Sequence, residues 1–362
     1  VTSERVDPEN PEKEAILDPK IGALIEALPK AELHVHLEGS VLPALALGLA
    51  ARRGVTLPGA ERGVLGLREA YRFTGFSDFI AIYVGISNCL QQAEDFAEAV
   101  VGIGEELARQ RVRWVEMTFT PMTHVIQGVD PDAMLAGLAE GRRRARTELG
   151  VEFAWVFDVV RSFPDQAEGT LELALRGRDL DEGVIALGVG GPEGPSFPVD
   201  ALAPVFARAR ALGLHSVPHA GEQDGSQSMW ANLKLLQADR LGHGVRCLDD
   251  PKLVDHLREH QIPLEVCPSS NVVLGFAPNL AAHPLPELMR QGLEVSLNSD
   301  DPPLFGTTLN EEYRRCAASF GWSAEQVVSM AGAAVRHSFM PAVRKAELLA
   351  EQAELLIEHA PI

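Results

Sequence analysis

Eight short runs rich in apolar and β-branched residues recur along the chain, and longer stretches with helical periodicity separate them. This alternation limits the architecture more than any other feature. The runs end at 33–37, 114–119, 153–160, 184–189, 215–219, 240–243, 264–267 and 294–297. Between them, 95–109, 130–148, 199–211 and 251–260 carry the spacing of amphipathic helices. Strand-sized runs alternating with helices predict βα units around a parallel sheet. Eight of them predict an α/β fold of the (β/α)8 (TIM) barrel type, with a helical insertion after the first strand. No Gly-rich dinucleotide fingerprint opens the first βα turn, which argues against an open doubly wound sheet. The glycines of 188–194 superficially resemble a phosphate loop, but no Lys-Ser/Thr follows and Pro192 interrupts them.

The chain has 362 residues, 46% of them apolar, enough for one large barrel domain over 21–362. No apolar run is long enough to span a bilayer. Residues 1–20 are charged, contain three prolines and lack an apolar h-region. They are expected to form a frayed extension of a cytoplasmic protein with no membrane partner. The excursion 41–89 between the first two strands is expected to form a lid over the barrel mouth. A net charge of -19 argues against nucleic acid as a partner. The densest basic cluster, Arg142, Arg143, Arg144 and Arg146, is expected to be a solvated helix face. Cys89, Cys247, Cys267 and Cys316 are scattered without a CxxC, as in a reducing compartment, and each is expected to be buried. Homo-oligomerisation is left open by the sequence.

Chemistry collects at the ends of the strands. His34 and His36 stand two apart, so their imidazoles share one face of a strand. In a barrel the strand ends converge, which would bring His219 (fifth strand) and Asp300 (eighth) to the same mouth. Three imidazoles and a carboxylate suit one Zn²⁺ with an added water, whose pKa at such an ion falls to about 7. Glu222, three residues past His219, is placed to manage protons. His243 is expected to orient water and stabilise charge, with room for approach between Gly242 and Gly244. Asp300 and Asp301 can both face the site only where the strand breaks, and Pro302-Pro303 marks such a break. His124 is a weaker substrate-contact candidate. His215, His256, His260, His283, His337 and His359 are expected to be ordinary.

These residues lie in motifs that resemble the adenosine deaminase family of the amidohydrolase superfamily. The motifs are Leu-Pro-Lys-Ala-Glu-Leu-His-Val-His-Leu-Glu-Gly at 28–39, His-Ala-Gly-Glu at 219–222 and Leu-Gly-His-Gly at 241–244. Glu-Val-Cys-Pro-Ser-Ser-Asn at 265–271 and Ser-Leu-Asn-Ser-Asp-Asp-Pro at 296–302 complete the set. The resemblance implies hydrolytic removal of a purine 6-amino group, of the adenosine-to-inosine type, on a single zinc held by His34, His36, His219 and Asp300. It implies that Glu222 protonates N1 and that His243 orients the attacking water. The implied substrate contacts are Asp301 at N7, the Gly191 backbone at N3, Glu38 at the ribose 5′ end, and His36. The partner is then a small purine nucleoside.

Two departures from the family pattern bear on the substrate. Glu38 stands where many nucleoside deaminases carry Asp, and adenine-specific members share this Glu. Those members, however, place Asp before the sixth-strand histidine, where this chain has Gly242, as nucleoside enzymes do. Gly188 also replaces a common acid, and Gly191-Pro192-Glu193 replaces the usual small-acid pairing. A 5′-modified adenosine, such as methylthioadenosine, an aminofutalosine-type precursor or adenosylhomocysteine, is therefore a candidate beside adenosine. The alternatives are an adenine deaminase, a binuclear amidohydrolase cleaving an ester or amide, and a non-catalytic purine-binding relative. The binuclear reading usually needs a fourth-strand lysine, and 184–194 contains none.

Overall fold

The computed structural model describes residues 17–73 and 75–359. Its eight strands are β1 (Lys30–His36), β2 (Val112–Phe119), β3 (Glu152–Val160), β4 (Val184–Gly190), β5 (His215–Ala220), β6 (Leu241–His243), β7 (Leu264–Val266) and β8 (Val295–Leu297). They pair in parallel and in chain order, each neighbouring the next. The (β/α)8 barrel expected from the alternation is the fold.

β8 is only three residues long, so the seam back to β1 is closed largely by side chains. The Leu33 amide donates to Asn298 Oδ1 at 2.9 Å, and the Ser299 amide donates to Glu32 Oε1 at 3.0 Å. Above them the Asp300 amide donates to the His34 carbonyl, and the His36 amide to the Asp300 carbonyl, both at 3.0 Å. The metal-type residues of β1 and of the chain beyond β8 are thus locked in register by backbone bonds.

Alternation along the strands sorts side chains between barrel interior and helical shell. In β3, Phe153, Trp155 and Phe157 belong to the main apolar core, while Val156 belongs to a separate small cluster with Ala186 and Val217. The helix Ala93–Arg109 buries Phe96, Val100, Ile103 and Leu107 at helical spacing, and a capping box of Gln92 and Asp95 sets its start. Arg143 and Arg144 lie on a solvated helix face, but Arg142 does not. It donates to the Phe153 carbonyl at 2.6 Å and to the Asp181 carbonyl at 2.8 Å, tying its helix to β3 and to the end of the helix before β4.

All four cysteines are free and buried. Of the expected extension 1–20, residues 1–16 lie outside those described. A helix, Pro19–Ala27, begins within it, with Asp18 Oδ1 accepting from the Lys20 amide at 2.8 Å. The excursion after β1 forms helices Pro43–Arg53, Gly63–Ala70 and Phe76–Ser87. No described helix is long and apolar enough to cross a membrane.

Candidate active site

The C-terminal ends of the strands enclose a cavity of about 470 Å³, and its polar floor holds His36, Asp158, His219, Glu222, His243, Asp300 and Asp301. Two of these residues sit in left-handed backbone, His243 at φ 61° and Asp300 at φ 64°. A non-glycine residue held there costs about 1–3 kcal/mol, and such strain gathers at functional sites. At Asp300 this turn interrupts strand alternation, so both Asp300 and Asp301 line the cavity.

His36, His219 and Asp300 come together on this floor, and His34 joins them without lining the cavity. His36 Nε2 lies 3.2 Å from His219 Nε2 and 3.3 Å from Asp300 Oδ1, and His34 Nε2 is 3.6 Å from that same oxygen. Ligands bound about 2.0–2.1 Å from one tetrahedral ion stand roughly 3.4 Å apart, so the spacing suits a single ion. The donor chemistry also fits. His34 Nδ1 is 2.9 Å from Glu265 Oε2, which leaves Nε2 buried with no hydrogen-bond partner. Glu265 is itself held by buried Arg240 at 2.6 Å, and Arg240 also pairs with Glu116. Carboxylates that orient a ligating imidazole in this way are the usual support of such sites. Burial works against charge on His36, yet Asp301 and Asp300 lift it to about 10, so the surroundings favour a cation. Burial and the neighbouring imidazoles push His219 well down, leaving it the neutral donor a metal needs.

Glu222 lies beside this cluster, 6% exposed, with Oε1 3.5 Å from His243 Nε2. Burial first, then the charge of Asp300, raise its carboxyl well above the usual range, which favours its protonated form. Burial likewise lowers His243 to about 3, making it a neutral imidazole. Asn271 Nδ2 reaches Glu222 Oε1 and His243 Nδ1, both at 3.4 Å, and Asn271 Oδ1 meets His283 Nε2 at 3.1 Å. His283, read from sequence as ordinary, is therefore buried and holds the amide that touches both groups. The glycines beside His243 serve packing rather than access. A Cβ at Gly242 would lie 2.7 Å from His34 Cε1, and one at Gly244 2.5 Å from Leu264.

Gly191 lines the cavity at φ 88°. Asp301 packs against Gly39, where a Cβ would fall 1.6 Å from Asp301 Oδ1. Glu38 does not reach the cavity. It is fully buried, and its oxygens accept from the Thr120 amide (3.2 Å), His124 Nε2 (3.1 Å) and the Tyr83 hydroxyl (2.9 Å). Of these partners Tyr83 lines the cavity, so Glu38 adjoins it through the Tyr83 hydroxyl rather than directly. His124 is withdrawn with it, fully buried and stacked on Phe119.

Above the polar floor the wall turns apolar. The helix Phe76–Ser87 contributes Phe76, Phe79, Ile80, Tyr83 and Val84, as expected of a covering insertion, and Ile126, Phe163 and Leu274 complete the mouth. Ile126 and Phe163 are 63% and 52% exposed, a high exposure for large apolar side chains. A larger cavity of about 690 Å³, between Glu32, Arg68, Arg72 and Phe305, shares no lining residue with this one and none of its titratable cluster.

Comparison with known proteins bears on the family and the fold. The family model described as "Adenosine deaminase" matches residues 29–355. An aminodeoxyfutalosine deaminase of Streptomyces avermitilis is 40% identical over 330 residues, covering 91% of each chain. The crystal structure of an adenine deaminase from Arthrobacter aurescens superposes with a TM-score of 0.86 at 32% identity, covering 91% of this chain and all of that one. An amidohydrolase from Burkholderia ambifaria, solved with bound Zn, shares the fold at TM-score 0.87 and 23% identity, over 96% of each chain. On the length of the family match and the identity to these relatives, the chain belongs to the adenosine deaminase family.

Proposed function

We propose that this protein is a zinc-dependent deaminase of a 5′-substituted adenosine, of the aminodeoxyfutalosine type. The observation that carries the substrate is the two-part cavity. A titratable floor matches the 6-amino side of a purine, and a partly exposed apolar mouth matches an apolar group beyond the ribose. A bare adenine would leave that mouth uncovered. The 40% identical aminodeoxyfutalosine deaminase supports the same reading. Gly242 supports it too, because adenine-specific relatives place Asp before the sixth-strand histidine, where this chain has glycine as nucleoside enzymes do. Adenine remains the second reading, favoured by Glu38 and by the adenine deaminase that superposes on the chain.

His34, His36, His219 and Asp300 would hold one zinc, in keeping with the spacing of their donor atoms. The ion would supply Lewis-acid activation of water at neutral pH. The protein's own groups do the rest. Glu222 gives its proton to N1 as the water oxygen bonds to C6, and the carboxylate left behind takes one proton from that water, whose approach His243 orients by hydrogen bond. Glu222 passes this proton to the 6-amino group, the C6–N bond breaks and ammonia leaves, and the C6 hydroxyl returns the second water proton to Glu222, so the product keeps a 6-oxo group with the proton on N1. Burial and Asp300 push the Asp301 carboxyl well up, which favours the protonated form that would donate to N7. The Gly191 amide faces N3.

Specificity constants for methylthioadenosine, aminodeoxyfutalosine, adenosine and adenine test the substrate, with the 6-amino absorbance and ammonia release as readouts. Each buried methylene contributes about 0.8 kcal/mol, so the 5′-substituted nucleosides should exceed adenosine by roughly tenfold. A strong preference for adenosine removes the 5′ substituent from the proposal, and a preference for adenine removes the nucleoside. Gly39→Ala tests the N7 contact. Its methyl would displace Asp301, and a displacement near 1 Å is expected to lower kcat/KM by about 10²-fold. Unchanged kcat/KM in a variant that folds normally by circular dichroism would take Asp301 out of the reaction.

A further inference from the structure

We propose that Asp158, near the mouth end of β3, is a specificity-determining residue that accepts a hydrogen bond from a ribose hydroxyl of the substrate. The inference rests on the nucleoside reading above and adds to it a residue that the family motifs do not include.

Strand order fixes where each edge of the purine must face. Glu222 follows β5, Gly191 follows β4 and Asp301 follows β8, so N1, N3 and N7 are taken by those three sectors. Of the five remaining strands, β6 and β7 stand between the N1 and N7 sectors and so face C6, while β1, β2 and β3 face N9 and the sugar. Two carboxylates stand there. Glu38 is saturated by Thr120, His124 and Tyr83. Asp158 lines the cavity, is 2% exposed, and its Oδ1 has no hydrogen-bond partner. The nearby Arg161 does not bond it through its terminal NH2, which donates to the His219 carbonyl at 2.5 Å.

Space has been cleared for this carboxylate. Gly188 pairs with Asp158 across β3 and β4, and Gly190 lies two residues on. A Cβ at Gly188 would meet Asp158 Oδ1 at 2.1 Å, and one at Gly190 would meet Oδ2 at 2.4 Å. The acid that relatives commonly carry at position 188 is therefore replaced in space by an acid from the adjacent strand. A buried carboxylate oxygen without a donor is costly, and a ligand hydroxyl is a donor of the right kind. Burial raises the Asp158 carboxyl to about 7, which marks a group still short of partners.

The test measures kcat/KM for adenosine, 2′-deoxyadenosine, 3′-deoxyadenosine and adenine on the wild-type metalloenzyme, on Asp158→Asn and on Asp158→Ala. For the wild type, loss of the bonded hydroxyl should lower kcat/KM by about 10–100-fold for one of the two deoxynucleosides. In Asp158→Ala that discrimination should shrink to within about threefold, while adenosine itself falls by a similar 10–100-fold. The wild-type comparison needs no variant, so it stands even where a substitution impairs folding. Equal use of all three nucleosides by the wild type would overturn the proposal, as would discrimination unchanged in both variants. Variants that lose adenine turnover but keep adenosine would also overturn it, assigning the carboxylate to N9–H. A wild type that deaminates adenine and no nucleoside would instead overturn the nucleoside reading on which the proposal rests.

Discussion

Glu222→Gln is expected to keep its metal and its fold while kcat falls by about 10²–10⁴-fold, the usual contribution of a positioned general acid–base group. The substitution is nearly isosteric, so the 3.4 Å contact with Asn271 has a counterpart in the variant. What the amide lacks is a proton to give at N1. In the wild type, burial and the adjacent Asp300 raise the carboxyl well above its ordinary range and so favour keeping that proton. Glu222 is outside the groups whose donor atoms converge as a metal site, so metal content should be unchanged. Steady-state turnover beside elemental analysis reads both quantities. A variant with intact zinc and near wild-type kcat would remove Glu222 from the mechanism.

The barrel was legible because its signal is local. Runs such as Phe153–Val160 and Val184–Val189 are short, apolar and β-branched, and convincing helical patterns separate several of the runs. The site floor was legible for a related reason. A barrel carries every strand end to one mouth, so His34, His36, His219 and Asp300 could be grouped without knowing any contact. Even the break at Asp300 was signalled by the prolines that follow it, and the left-handed φ of 64° is how the backbone makes that break.

What the sequence hid depends on partners distant in the chain. Glu38 reads as a substrate contact until Tyr83 and His124, 45 and 86 residues away, are seen to occupy its oxygens. His283 reads as a turn residue until it is seen bonded to Asn271, whose amide reaches Glu222 and His243. Arg142 reads as part of a solvated stripe because periodicity does not show the β3 carbonyl waiting beneath it. Asp158 is different, because its signal was present. An acid inside an apolar strand run, level with two inward glycines of the next strand, is a buried charge with space reserved for it. Reading the run only for its apolar pattern passed over that acid.

Removal of the metal should abolish activity, and readdition of zinc should restore it. The argument begins with the donors. His36 Nε2 and His219 Nε2 stand 3.2 Å apart, with Asp300 Oδ1 3.3 Å from His36, a spacing that suits ligands around one ion. Without the ion, water keeps its far higher bulk pKa, against about 7 when zinc-bound, and hydroxide is no longer supplied at neutral pH. The proton shuttle of Glu222 then has no nucleophile to serve, so residual turnover should fall to background. His219→Ala should act on the same step by weakening or emptying the site. Because a ligand that binds only the folded state stabilises it, the apo enzyme should also melt below the zinc-loaded one, a readout independent of catalysis. Elemental analysis of the native enzyme should give one zinc per chain. Two tightly bound metals would favour the binuclear alternative, although 184–194 offers no lysine to bridge them. Full activity after complete zinc removal would end the metal assignment.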